Sequence, residues 1–381
     1  MKKNKVFKIV FALMVLLAIT ACNAEKDRDR VIIKEPGKNI TVIEDADKEV
    51  GEPNVSVEKI DQYKNLQISD WFNENLVIVS KENESLEKMK LEELSDSYPR
   101  SLYLYNLNTK EYKLLKEQEN LFLGGATLSP DKKYLLYYGN SLGDPVYYVM
   151  NMDTLESFGI HGSNIGGAYS ANWADNETVI GGAYSGGAYS GGAYSGGAYL
   201  ASTTGAITPL DELKDKALFI VRKMRDKIYY NTNSDTSLMV LDLATKEKTS
   251  LNINYVYGVF PAPDGNQMLV LQDDGSKRTM ILCDADGGSI ETIAEGAEIS
   301  GVSWSPDQRM IAYSLKTVIN GTSTSGLYVY DRLTGEDTQI VVDVENPTTC
   351  WSPSGRELVY SEWNGIQYNS SIVYLKQQLQ K

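Results

Sequence analysis

Short apolar or β-branched runs alternate with polar turns along most of the chain. Met310-Ile311-Ala312-Tyr313, Leu358-Val359-Tyr360, Tyr134-Leu135-Leu136-Tyr137, Met268-Leu269-Val270, Thr178-Val179-Ile180, Leu76-Val77-Ile78 and Ile228-Tyr229-Tyr230 are such runs. Their shortness and their bounding turn residues predict strands, not helices. A polar turn precedes each run. It reads Trp304-Ser305-Pro306-Asp307, Trp351-Ser352-Pro353-Ser354-Gly355, Leu128-Ser129-Pro130-Asp131, Pro261-Ala262-Pro263-Asp264-Gly265 and Trp173-Ala174-Asp175-Asn176, with weaker copies at Trp71–Asn75 and Val221–Asp226. Proline presets φ at the second turn position and Asp or Gly tolerates the next, so each motif predicts a hairpin. A second motif follows: a strand, an Asp- or Asn-led turn, then another strand, as in Leu327–Asp331 to Gly335, Met239–Asp242 to Lys246, and Met280–Asp284 to Gly288. Each unit therefore holds four strands.

The first motifs start at residues 71, 128, 173, 221, 261, 304 and 351. Four-stranded units at this spacing are the blades of a β-propeller. The prediction is an all-β propeller over residues 39–381, with seven blades, or six because the copy at Val221 is weak. The last copy ends soon after Ser371–Leu375, too early for a fourth strand. A ring has to close to remove its sheet edges, and the N-terminal run Asn39-Ile40-Thr41-Val42-Ile43 is expected to close it. The Ser-Pro-Asp turns are short and uniform. The second-to-third loops vary: Ser80–Arg100 is long and charged, Gly139–Pro145 short, Lys316–Gly326 rich in Ser, Thr and Gly, and Glu362–Ser370 polar. Functional loops collect where a rigid scaffold allows variation, so a ligand is expected on that variable face, near the central channel.

Residues 181–200 are four tandem copies of Gly-Gly-Ala-Tyr-Ser, the last ending in Leu200, and a fifth copy stands at Gly166–Ser170. An odd period sends successive tyrosines to opposite faces of an extended strand. The array reads as a lengthened second-to-third loop or hairpin of the third blade. It is either a tandem duplication tolerated at the surface or a Tyr-lined contact surface for sugar or protein.

The N-terminus follows a different plan. Met1–Lys8 is basic, Ile9–Leu17 is apolar, and Ile19-Thr20-Ala21-Cys22 places small residues before a cysteine. This is the secretory pattern, and the apolar stretch is short for a membrane span. The last four residues resemble the bacterial lipobox. That resemblance implies cleavage after residue 21, diacylation of Cys22, and attachment to the outer face of the cell membrane. Two acyl chains anchor stably where one does not. Residues 22–38 are charged and poor in apolar side chains, the composition of a solvated tether of roughly 50 Å when extended.

The 381 residues carry a net charge of −14, and the four lysines before Cys22 leave the chain from Cys22 onward at about −18. Such a surface repels nucleic acid, which is excluded as a partner. The 25 tyrosines and 31 glycines suit a sheet protein with many tight turns. Cys283 and Cys350 lie in apolar strand contexts and are expected to be buried free thiols, although a disulfide is chemically open outside the cytoplasm.

Catalytic signals are thin. Gly139-Asn140-Ser141-Leu142-Gly143 matches G-x-S-x-G but lies between two strands, not in the strand–turn–helix setting that a nucleophile needs, and His161 is the sole histidine. Asp284-Ala285-Asp286-Gly287 reads as a turn, because the later ligands of a calcium loop are missing. Glu92, Glu93 and Asp96 read as a solvated loop. No Walker loop, dinucleotide fingerprint or cysteine metal pair is present, so no cofactor is expected.

The Trp304–Tyr313, Trp351–Tyr360 and Cys283–Gly288 segments resemble the blades of the TolB-like, or WD40-like, propeller family. The resemblance spans about residues 68–377, and the chain also resembles the YqgU-like propeller lipoproteins of Gram-positive bacteria. It implies a fold and hardly any activity. The expectation is a membrane-anchored, non-catalytic scaffold that binds a protein, peptide or glycan of the cell envelope. The alternatives are a lyase or glycosidase with carboxylates or Tyr at the channel, and an accessory of envelope assembly.

Overall fold

Period-two alternation governs where each strand buries its side chains. In Tyr134–Asn140, Leu135 and Tyr137 join one apolar cluster while Leu136 joins the next. Val77 and Val79 face one way and Ile78 the other. Val270 packs toward the preceding strands and Leu269 and Leu271 toward the following ones. Strands buried on both faces must sit in sheets that are themselves covered on both sides.

The computed structural model describes residues 30–35, 38–43, 55–162, 165–184 and 196–377. The chain divides into two units, Met1–Glu52 and Pro53–Lys381. In the first, Arg30–Glu35 pairs antiparallel with Lys38–Ile43 as a hairpin. Two expectations change here. Arg30–Glu35 lies within the stretch read as tether, where Val31, Ile32 and Ile33 form a β-branched run. The run Asn39–Ile43, expected to complete the last sheet, pairs with this hairpin partner instead.

The second unit is nearly all-β, built of antiparallel sheets in consecutive four-strand sets. The first set is Gln67–Asn73, Leu76–Glu82, Arg100–Asn106 and Tyr112–Lys116. The second is Phe122–Leu128, Tyr134–Asn140, Val146–Asn151 and Ser157–Gly159. A single parallel bridge, Arg100 to Phe122, joins these two. The third begins with two short pieces, Gly167–Ala168 and Asn172–Trp173, and continues through Thr178–Tyr184, Gly196–Ser202 and Ile207–Leu210. The fourth starts at Leu218–Met224, the fifth at Val256–Pro261 and the sixth at Glu298–Trp304. The last holds Thr348–Trp351, Glu357–Trp363 and Tyr368–Gln377, and its outer strand is Val55–Lys64, paired along Tyr368–Gln377. Val55–Lys64 thus takes the place expected for Asn39–Ile43. It also runs straight into the first set, with only Asn65 and Leu66 between.

Both sequence motifs are hydrogen-bonded devices. In the first, the serine carries the turn. Ser305 Oγ accepts the Met310 N–H at 2.8 Å and donates to Asp307 Oδ1 at 2.6 Å. Ser129 does the same with Tyr134 and Asp131. The residue after the aspartate is left-handed, with φ of 62° at Gln308, 61° at Lys132 and 67° at Gly265, which is why glycine suits the position. In the second motif the leading Asp or Asn caps its own turn: Asn106, Asn151, Asp242, Asp284 and Asp331 each accept the N–H two residues on. The predicted loop Lys316–Gly326 is instead a long hairpin, with strands Met310–Ile319 and Thr322–Asp331. Its turn is Asn320-Gly321, with φ of 52° and 80°, the Asn-Gly pairing that type I′ turns prefer.

Every apolar cluster is shared between two sets. Most join sets successive in the chain. One joins Ile68, Trp71 and Val77 of the first set to Val359 and Ile372 of the last. At that seam Ser361 Oγ donates to the Ile68 carbonyl at 2.9 Å, and the Ile68 N–H donates to Ser370 Oγ at 2.8 Å. Elsewhere the motif tryptophans stitch the seams. Trp173, Trp304 and Trp351 donate Nε1–H to the carbonyls of Thr127, Phe260 and Ser303 at 2.9, 3.1 and 3.3 Å. Trp71 is the exception, since its buried Nε1 has no partner among the described residues. Asp70 ties the first set to the second by accepting the Leu128 N–H at 2.8 Å while also accepting that of Trp71 at 2.7 Å.

These seams make two expectations. Trp304→Phe loses a seam hydrogen bond and Trp71→Phe does not, so Trp304→Phe should cost about 1 kcal/mol more in urea unfolding beyond the shared loss of packing. Burial pushes the Asp70 carboxyl up to about 6 from its usual 3.8, against the two N–H donors and Lys132. A raised carboxyl pKa means the folded state holds the proton longer, so this group's contribution is full below pH 3.8 and is lost as pH rises through about 6. Asp70→Asn should flatten that part of a melting-temperature profile. An unchanged slope would show that Asp70 is not its source.

Candidate functional site

Inner-strand geometry opens a cavity with polar and aromatic walls. Phe122–Leu128 carries a bulge between Gly124 and Thr127. Gly125 there has φ of 56°, and a Cβ on it would lie 2.1 Å from the Tyr138 ring. The missing side chain lets Tyr138 lie flat against the inner strand. Tyr147, paired across from Tyr138, meets it edge-on with ring centroids 6.0 Å apart. Trp173 from the third set and Arg222, Lys223 and Arg225 from the fourth complete the walls, with the Pro261–Gly265 turn of the fifth as a rim. The cavity measures about 630 Å³, within the range of small-ligand sites.

Its charge opposes that of the protein. Three basic side chains and one acid, Asp264, line it, in a chain of net charge −14. Lys223 pairs with Asp175 at 3.1 Å, and Arg225 donates to Asn266. Arg222 is different. It is half-buried, its Nη1 donates to the Val221 carbonyl at 2.9 Å, and no ion pair engages it among the described residues. Burial pushes its guanidinium down to about 10, opposed by neighbouring Tyr147. A cation held at the cost of desolvation, beside aromatic rings and without a carboxylate, is free to take an anionic group from outside.

The cavity does not lie where variable loops suggested. Its rim includes Pro130 and Pro263-Asp264-Gly265, the short turns, because short turns leave the inner strands uncovered. The remaining sequence candidates are dispersed. Ser141 lies in the hairpin between Tyr134–Asn140 and Val146–Asn151, as its setting implied. Asp284 Oδ1 accepts the Asp286 and Gly288 N–H groups at 2.9 and 2.8 Å, which is a turn. Glu92, Glu93 and Asp96 are exposed in and beside a short 3₁₀ helix. Cys283 and Cys350 are both free; Cys283 is buried and Cys350 partly so, and burial raises both thiols. Cys22 and residues 185–195 lie outside the described residues.

The Gly-Gly-Ala-Tyr copies at the two ends of the array are sheet, and partly core. Gly181↔Tyr199 and Tyr184↔Gly196 face each other across the strand pair, so each Tyr sits opposite a Gly. Tyr199 is fully buried and donates to the Ser170 carbonyl at 2.9 Å. A Cβ on Gly182 would lie 2.3 Å from the Tyr169 ring. The described copies are therefore close-packed, which a tolerated surface duplication does not require. The sequence reading missed Arg222. Its one visible signal was Arg222-Lys223-Met224-Arg225, a basic cluster beside the weakest motif in an acidic chain.

No protein-family profile matches the sequence, and neither does any curated protein. Solved structures do match in fold. An oligogalacturonate lyase in complex with manganese is 12% identical, with 84% of this chain and 97% of that one covered and a TM-score of 0.61. The β-propeller domain of Cps50 (Swd1) from Myceliophteria thermophila is 12% identical over 84% and 99%, with a TM-score of 0.53. TolB from Acinetobacter baumannii is 13% identical over 80% and 64%, with a TM-score of 0.47. The first two of these likenesses show the propeller fold and nothing of activity.

Gly125→Ala tests the packing that shapes the cavity. The new methyl meets the Tyr138 ring and the backbone is left-handed, so a loss of roughly 2 kcal/mol or more is expected in urea unfolding. A loss under about 0.5 kcal/mol would mean that Tyr138 moves freely and the wall is not fixed.

Proposed function

We propose that this chain is a lipid-tethered, extracytoplasmic, seven-bladed propeller that binds an anionic component of the cell envelope in its channel, without catalysis. The reading of one ring rests on the sharing of apolar clusters, in which each set packs on the next and the last on the first. Val55–Lys64 then closes it by completing the last blade. The tether and its membrane rest on the lipobox at Cys22.

The observation that carries the binding reading is Arg222. A guanidinium without a carboxylate, in a cavity walled by Tyr138, Tyr147 and Trp173, suits a ligand with a carboxylate or similar group on a ring. The low-dielectric walls focus the local positive potential within an acidic surface. Among a protein, a peptide and a glycan, an acidic glycan fits best, because aromatic faces stack on sugar rings and the guanidinium takes the acid.

A carbohydrate-active enzyme is the second reading, favoured by the fold likeness to a lyase. Glycosidases use two carboxylates, and one, Asp264, lines this cavity. Among the described residues no three His, Cys, Asp or Glu side chains converge to hold a metal such as the manganese of that lyase.

Calorimetry with galacturonate against glucose tests the proposal. Galacturonate should bind and glucose should not, with affinity falling as salt rises. Arg222→Met should weaken galacturonate binding at least tenfold. Unchanged affinity in Arg222→Met, or preference for the neutral sugar, would overturn it. Release of shortened products from polygalacturonate would favour the enzyme.

A further inference from the structure

Arg100 is a second guanidinium that the fold buries without a counter-charge. It begins the third strand of the first set and is 8% exposed. Its Nε donates to Ser80 Oγ at 3.1 Å and its Nη2 to the Ser80 carbonyl at 2.6 Å. Its Nη1 donates to nothing among the described residues, and no carboxylate there reaches ion-pair distance; Glu82 acts on it only from farther off. The guanidinium carbon stands 5.5 Å from the centroid of the Tyr368 ring of the last set. Two of its five donors are used within the fold, which leaves Nη1 open to an acceptor from outside.

Arg100 is connected to the cavity through aromatic rings. Tyr138 lines the cavity and is also a charge neighbour of Arg100 and Tyr368. Tyr147 is a charge neighbour of both Tyr138 and Arg222. Geometry places Arg100 beside the same wall: Ser80 Oγ, which its Nε reaches, donates to the Leu123 carbonyl at 2.6 Å, next to Gly124, the register partner of Tyr138. Beyond Arg100, Tyr368 meets the half-exposed Trp363 at 5.0 Å between ring centroids, which extends the aromatic surface toward solvent. Among the described residues neither Arg222 nor Arg100 forms an ion pair, whereas Arg278 and Arg309 do.

We infer that Arg100 is a second anion-binding point of the same channel, and that the ligand is an acidic oligomer with at least two anionic groups, one held at Arg222 and the other at Arg100. This rests on the reading of the Arg222 cavity given above. A monomeric acid engages one guanidinium; an oligomer engages both and gains the second contact at the entropic cost of one association.

The experiment is calorimetry on the full chain in detergent, with galacturonate and its trimer as probes. The trimer should bind at least tenfold tighter than the monomer. Arg100→Met should remove that gap and leave monomer affinity within twofold, while Arg222→Met weakens both probes. Arg100→Lys keeps the charge and loses the forked donors, so it should narrow the gap at least threefold; it also decides the matter if Arg100→Met fails to fold, as judged by circular dichroism. A gap that survives Arg100→Met or Arg100→Lys while Arg222→Met weakens both probes overturns the second point alone. No effect from any of the three variants overturns the cavity reading with it.

Discussion

Sheets that are apolar on both faces are the constraint on which this structure depends. Val77 and Ile78, or Leu135 and Leu136, are neighbours in sequence yet bury themselves in different clusters. No set can satisfy that pattern alone, and a stack of sets would leave an exposed apolar face at each end. The cluster joining Ile68 and Trp71 to Val359 and Ile372 covers those two end faces against each other. Burying apolar area is worth about 25 cal/mol per Å², so leaving one whole face wet would be a large penalty for a fold that is marginally stable overall.

Polar groups then fix how closely the sheets meet. The tryptophan indoles reach one specific carbonyl of the preceding set, Thr127, Phe260 or Ser303. At the seam of first and last sets Trp71 makes no such bond among the described residues; buried Ser361 and Ser370 bond to Ile68 instead. Seam polarity matters because a buried donor without a partner costs more than a made bond returns. A side chain as large as Tyr138 packs against the first strand of its set only over a glycine, Gly125.

The cavity follows from that rigidity. First or second strands of different sets bring Tyr138, Trp173 and Arg222 together from distant parts of the chain. Among the described residues the guanidiniums of Arg222 and Arg100 form no ion pair, although Asp264 lines the cavity and Glu82 stands across the strand pair from Arg100; other acids, such as Asp131, Asp242 and Asp284, cap turns. An acidic protein thereby keeps a cavity lined by three basic side chains and one acid.

The sequence by itself determined the strands, their grouping in fours and the turns between them, because these depend on neighbours a few residues apart. Ser305-Pro306-Asp307 and Asp331 act within their own turns, so their pattern is legible in one dimension. What only the tertiary structure decided was pairing across long separations. Asn39–Ile43 and Val55–Lys64 both read as strands, yet Val55–Lys64 completes the last sheet, since Lys64 leads directly into Gln67 while Asn39–Ile43 has a nearer partner in Arg30–Glu35. Gly181 and Gly182 looked like loop residues until Tyr199 and Tyr169 were placed against them. Arg222 carried a faint signal and Arg100 none, because an arginine's function depends on whether a carboxylate comes to meet it, and that is settled only when distant strands close around it.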